Sequence, residues 1–394
     1  MSKRVYETSH PWIVFEPNLS KTSTKLWILL GAAQSKCRHL AKVVLLPELA
    51  KEMHQVYLAK GALATTAIEG NTLREDEVEA FLKGELELPP SREYLEQEIK
   101  NIVDACNKIG EKILTFQDLS LSTKEIREYN RDVLHNLKVE SNVTPGEYRM
   151  DRVGVGKYLG APAEDCPYLM DRLVSMLQEI TDPEHPVLGK GFEIASGILA
   201  AILAHLYIAW IHPFGDGNGR TARLLEFRFL LEAGAPTPAA HLLSNHYNKT
   251  RTEYYIKLHE SSKRDDGISQ FLEYALQGFI DGLDEQINLV QDQQRDIVWA
   301  HLVNQSFAKD TSPTAHRKRE LVFSLTNAKD PVEIDLKEIR RLSPELSDEY
   351  ANKTKKTLTR DIKNLLGQHL IVKEGDKVKA NTDLVSALIP RRRT

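Results

Sequence analysis

The chain has 394 residues, of which 41% are apolar and 27% charged; this length predicts two or three domains, and the composition excludes a collagen-like rod, a disulfide-stapled miniprotein or a largely disordered chain. Formal charge is −4 overall, so the whole molecule is no polycation. The charge is uneven, however: residues 311–394 carry 18 Lys+Arg against 12 Asp+Glu, a net of +6, which leaves −10 on residues 1–310. Three cysteines, Cys37, Cys106 and Cys166, have neither CxxC nor zinc-ligand spacing, and the N-terminus has no apolar run of signal-peptide length. They read as reduced thiols in a cytoplasmic protein.

In chain order the signals are mostly helical. Residues 47–69 have Pro47 where a first turn tolerates it and Gly70-Asn71 as a stop. A helix follows over 74–83, and beyond Pro89-Pro90 apolar residues recur at helical spacing over 94–115 and 122–137. Residues 141–164 alternate β-branched residues and glycine between turn residues, which predicts a short hairpin. Helices resume at 166–181. Ile194 to Ile211 is then almost uninterruptedly apolar, at the lower length limit for a bilayer span. It contains Ser196 and His205 and runs into a polar glycine-rich loop without basic flanks, so the expectation is a central buried helix and no membrane partner. Residues 220–233 form the next helix, ended by Gly234, and 269–299 a long amphipathic one. The segment 311–390 predicts three helices, the third over Leu358 to Leu366, then two short strands within His369 to Asn381 joined at Glu374-Gly375-Asp376.

The loop His212-Pro-Phe-Gly-Asp-Gly-Asn-Gly-Arg220-Thr-Ala-Arg223 separates two of these helices. Three glycines in five positions, Gly215, Gly217 and Gly219, allow backbone N–H groups to converge on one point as an anion nest. The following helix aims its positive end at the same place. Arg220 and Arg223, three apart, share a helix face and suit phosphate oxygens. Asp216 is costly inside an anion site unless a divalent cation such as Mg²⁺ bridges it to the phosphates. His212 has the proton affinity of a general base near neutral pH.

The string HPFGDGNGRTAR resembles, at every defining position, the HxFx(D/E)GNGRxxR motif of the Fic family; the likeness extends over roughly residues 10–285. The resemblance implies a mainly α fold: a helical core with a hairpin flap. It also implies a protein adenylyltransferase that moves AMP from ATP to a Ser, Thr or Tyr hydroxyl of a target protein or of itself. On that pattern His212 deprotonates the hydroxyl, Asp216 holds Mg²⁺, Asn218 and the loop amides steady the phosphates, Arg220 takes the β-phosphate and Arg223 the γ-phosphate. Phe214 points into the core and fixes the loop. Removal of AMP at the same site, or use of another nucleotide, is the alternative chemistry, and a DNA-binding regulator in which this core is accessory is the alternative function.

Thr65 to Asn71 (TTAIEGN) resembles the family's (S/T)xxxE(G/N) inhibitory motif, with Thr65, Glu69 and Gly70 at its defining positions. The resemblance implies a class II member in which Glu69 takes Arg223 from the γ-phosphate, with the Thr65 hydroxyl orienting the carboxylate. The hairpin near Arg152 to Ala163 corresponds to the flap that pins the target segment. Tyr254-Tyr255 resembles the segment whose second tyrosine lines the adenine pocket, while Ser262 stands where some members carry an asparagine, which leaves base preference open. His205, His246 and His259 read as ordinary helix histidines.

The organisation expected is an N-terminal helical region with the inhibitory helix over 1–95, the catalytic core over 96–285, a connecting helix over 286–310, and a winged helix-turn-helix over 311–394. Lys353, Lys355, Lys356, Arg360 and Lys363 cluster before and on its third helix, with Arg391 to Arg393 beyond. DNA through phosphate contacts and a docked protein are both open as partners of this region, as is a second copy of the chain in a homodimer.

Overall fold

The computed structural model describes residues 3–16, 22–86, 88–115, 120–155, 158–185, 188–328 and 330–385. The chain forms two compact units, Met1–Ile287 and Asn288–Thr394.

The first unit is helical: α1 (Tyr6–Ser9), α2 (Thr24–Ala41), α3 (Pro47–Ala67), α4 (Glu75–Leu82), α5 (Glu93–Leu114), α6 (Thr123–Val133), α7 (Cys166–Ile180), α8 (Glu193–Ile211), α9 (Asn218–Glu232), α10 (Leu242–Lys249), α11 (Arg251–Glu260) and the start of α12 (Gly267–Phe307). Strands β1 (Gly154–Val155) and β2 (Tyr158–Leu159) pair antiparallel with Val155 opposite Tyr158. They are the expected hairpin; its turn, 156–157, lies outside the described residues.

Helix α8 explains the architecture. Seventeen of its residues are buried, because a helix without a polar face must be covered all round. Helices α2, α7 and α9 pack against it. It is the one helix among the described residues long and apolar enough to cross a membrane, and protein surrounds it. Gly197 permits the tight α8–α9 approach: a methyl group there would lie 2.3 Å from Ala233 Cβ and 3.0 Å from the Phe229 carbonyl. All three cysteines are buried and unpaired, and burial pushes the thiols of Cys37 and Cys106 up to about 12.

The second unit contains α13 (Pro313–Asn327), β3 (Val332–Glu333), α14 (Leu336–Ile339), α15 (Pro344–Glu349), α16 (Lys355–Gly367), β4 (Ile371–Glu374) and β5 (Lys377–Ala380). The three strands form one antiparallel sheet in the order β3-β5-β4. Among the described residues from 311 on, four helices stand where three were expected, and β3 was not anticipated, since two residues are too short to show a period. The core of this unit also starts earlier than residue 311. Trp299, Val303 and Phe307, on the last turns of α12, are buried with Leu321, Leu358 and Val378. Arg317 is buried against Asp361 (2.9 Å), which also accepts from the Tyr350 hydroxyl (3.1 Å). Arg391 to Arg393 lie outside the described residues.

Candidate active site

The loop between α8 and α9 begins with strain. His212 ends α8 in the left-handed region, at φ 50° and ψ 59°, a conformation that costs a non-glycine residue about 1–3 kcal/mol. Arg149 holds it there. This buried guanidinium donates to the His212 carbonyl (2.6 Å), the Asp151 carbonyl (2.6 Å) and the carbonyls of Ala161 and Ile211, so one side chain ties the base of the hairpin to the start of the loop. Burial and the Arg149 charge lower the His212 imidazole to about 4. It is therefore neutral near pH 7 and able to accept a proton.

Phe214 is buried and bridges Tyr148. Asn218 closes the loop on itself, its amide donating to the Phe214 carbonyl (2.9 Å) and accepting from the Phe214 N–H (3.0 Å). Its side chain is thus occupied by the loop, and what it offers a phosphate is its backbone N–H in the first turn of α9. Gly217 turns the chain at φ 76°, and Asn130 fixes it from α6 by donating to the Asp216 carbonyl (2.8 Å). Gly215 sits against Val143, where a methyl group would lie 2.7 Å from Cγ2. The helix begins at Asn218, two residues before the expected Arg220, so the loop amides and the N-terminus of α9 are continuous.

Both arginines are buried. Arg223 donates through Nη2 to Glu69 Oε1 (2.5 Å) and to the Thr65 carbonyl (3.0 Å), while its Nε and Nη1 have no hydrogen-bond partner among the described residues. Arg220 donates through Nη2 to Asp216 Oδ1 (3.1 Å); its Nε and Nη1 make no hydrogen bond among the described residues, although Glu98 Oε1 stands 3.6 Å from Nη1. Buried N–H groups left open cost free energy that an incoming acceptor recovers. Asp216 is half-exposed beside them. Its carboxylate, paired with Arg220 and accepting from the Gly217 N–H, offers the hard oxygen donors and the access that would suit Mg²⁺.

Glu69 follows the end of α3, in a turn completed by Gly70 at φ 109°. Burial alone would raise its carboxyl, but Arg223 outweighs burial and holds it below the usual range. Gly219 makes room for it: a methyl group there would lie 2.2 Å from Glu69 Oε1. Thr65 contributes its backbone carbonyl to Arg223, where its hydroxyl had been expected to orient Glu69. Arg251 and Tyr255 donate to the Ile68 carbonyl (2.5 and 3.4 Å), anchoring the turn.

A cavity of about 440 Å³ opens beside this cluster, lined among others by Glu69, His212, Gly219, Ala222, Tyr254 and Tyr255. Tyr255 is 42% exposed on its wall, and Tyr254, also on the wall, is buried and hydrogen-bonds His205 Nε2 (2.9 Å). His205 and His259, read from sequence as ordinary, are also on its wall; Ser262 is not. Tyr158 of β2 closes one side. Residues the sequence did not mark are Arg149, Asn130, Arg251 and Glu98.

Two buried guanidinium groups at the start of α9, with a cavity beside them walled by Glu69, His212 and Gly219, place the chain among helical domains built around one glycine-rich loop. Residues 120–230 match the model of the Fic/DOC family, and the chain carries a Fic domain. Relatives include protein adenylyltransferase fic-1 of Caenorhabditis briggsae, 27% identical over 259 residues, covering 66% of this chain and 46% of that protein. Protein adenylyltransferase Fic of Nematostella vectensis is 29% identical over 212 residues, covering 54% and 44%. The chain thus spans less than half the length of these curated relatives. Its fold resembles that of a Fic family protein from Desulfovibrio desulfuricans (TM-score 0.53, 18% identity, covering 91% of this chain and 96% of that one). It also resembles Fic-1 of Caenorhabditis elegans (TM-score 0.53, 23% identity, covering 68% and 73%).

Proposed function

We propose that the protein is a self-inhibited protein adenylyltransferase. The single observation that carries this reading is the pair Arg220 and Arg223, buried with open N–H groups at the start of α9, one of them taken by Glu69. The triphosphate of ATP lies along the loop amides and the two arginines, with adenine toward Tyr255. Neutral His212 takes the proton of a Ser, Thr or Tyr hydroxyl, the oxygen attacks the α-phosphorus, and pyrophosphate leaves. Asp216 would hold Mg²⁺, which when bound neutralises phosphate charge. Strands β1 and β2 present an edge against which a target segment is aligned. Glu69 blocks this arrangement because a carboxylate in the Arg223 fork excludes a phosphate oxygen.

The test uses α-labelled ATP with the wild type, Glu69→Gly and His212→Ala/Glu69→Gly. Label transfer is expected to rise about tenfold or more in Glu69→Gly and to fall by about 10²–10⁴ when His212 is also removed, the range of a lost general base. Equal labelling by wild type and Glu69→Gly would falsify the brake, and a barely affected His212 variant the base. Should the variants instead strip AMP from labelled target, the alternative reading, AMP removal at the same site, stands.

A second reading concerns the C-terminal unit, which we take as a winged helix that binds DNA. Lys356, Arg360 and Lys363 are exposed on α16 at one-turn spacing, and Lys353 is exposed before it. Such a face suits a phosphate backbone. Affinity for duplex DNA is then expected to fall steeply with salt; flat salt dependence favours a docked protein.

A further inference from the structure

Glu98, on α5, lies outside every motif in the sequence, yet it reaches the phosphate site. Its Oε1 is 3.6 Å from Arg220 Nη1, one of the open N–H groups of that guanidinium. Its Oε2 accepts from Asn71 Nδ2 at 2.8 Å. Asn71 is buried and fully engaged: it donates to the Leu95 carbonyl (3.0 Å), accepts from the Leu73 N–H (3.0 Å), and donates its own N–H to the Thr66 carbonyl (3.1 Å). Asn71 is two residues beyond Glu69 in the same turn. One short segment therefore governs two carboxylates, each directed at a different loop arginine.

The charges make this consequential. Arg220 stands between Asp216 (3.1 Å) and Glu98, and both anions oppose a phosphate approaching the same guanidinium. Divalent cation held by Asp216 would cancel one of them. Among the described residues Glu98 has no cation in reach except Arg220: its side chain is mostly buried, burial raises its carboxyl, and the Asn71 hydrogen bond and the Arg220 charge oppose that rise, so its hold on Arg220 depends on both contacts.

We propose that Glu98 is a positioning residue for Arg220: it holds that arginine back from the nucleotide phosphates, and Asn71 makes the hold depend on where the end of α3 stands. Displacing the turn to free Arg223 then also loosens Glu98 and frees Arg220, so the two arginines become available together. This inference rests on the nucleotide-transfer reading and assigns a further determinant of ATP affinity within it.

The experiment measures kcat and KM for ATP, and ATP binding by calorimetry, in the active Glu69→Gly background. Adding Glu98→Gln, which keeps shape and removes charge, is expected to lower KM and Kd for ATP by about three- to tenfold, with kcat within about twofold. Asn71→Ala, which does not touch Arg220, is expected to act in the same direction. In an Arg220→Ala background Glu98→Gln should leave the calorimetric Kd unchanged. A KM that is unchanged or higher in Glu98→Gln overturns the proposal, as does a Glu98→Gln effect that persists without Arg220; a KM unchanged or higher in Asn71→Ala overturns the part assigned to Asn71. Should Glu69→Gly itself transfer no AMP, the reading of the site fails; if it is active and Glu98→Gln is silent, only this inference fails.

Discussion

His212 and Glu69 show how burial and neighbours divide the work between two ionisable groups. For Glu69 the lowered carboxyl means that its contact with Arg223 is present at and above the ordinary carboxylate range, and is lost only as pH falls through the depressed value. Cellular pH changes therefore do not titrate the brake. For His212 the shift is also downward but favours the neutral form: burial and Arg149 disfavour the charged ring, so the base is available wherever pH exceeds about 4. Removing Glu69 also removes a neighbour that raises the imidazole. In Glu69→Gly the acidic limb of kcat/KM is accordingly expected well below 6.5, the ordinary histidine value, because that limb reports the free enzyme. A limb at 6.5 or above would mean that the imidazole is more hydrated than its surroundings imply. The contiguous loop residues could be assigned from sequence because one short segment encodes both the turn and the chemistry. Arg149, Asn130 and Glu98 could not, since each reaches the loop from a distant element and its own neighbours in sequence carry no signal.

Among the elements, the pair α8 and α9 places the loop. Helix α8 had to be buried because it offers water nothing, and Gly197 sets how closely α9 lies against it. Gly197→Val puts a branched side chain against the Phe229 carbonyl and Ala233. Overpacking of this kind costs about 1–3 kcal/mol, and displacement of α9 moves Arg220 and Arg223 relative to His212. The expected result is a lower urea midpoint together with weaker ATP binding in Glu69→Gly; an unchanged midpoint would show that the helices can separate freely. Long elements such as these were legible because periodicity needs several turns to show. The two-residue strand β3 and the one-turn α14 offer no such run. Their existence depends on β5 and on Ile339 finding the second core, a tertiary cause that local pattern does not contain.

At the scale of the molecule, the charge division at residue 311 and the structural division after Ile287 do not coincide, and the difference has a physical cause. Surface charge records which partner a segment meets, whereas a folding unit is bounded by its core. The second core takes Trp299, Val303 and Phe307 from α12, and the Trp299 indole N–H donates to Thr326 (2.8 Å). A unit of about a hundred residues has a net stability of only about 5–15 kcal/mol, and losing a buried tryptophan alone costs about 3–5 kcal/mol. A fragment of residues 288–394 is therefore expected to unfold in one cooperative transition. One of residues 311–394, although it holds every predicted helix and strand of that unit, should be largely unfolded or melt far lower. Circular dichroism of the two fragments against temperature decides it: equal midpoints would show that the end of α12 is dispensable and that the boundary belongs at the change of charge.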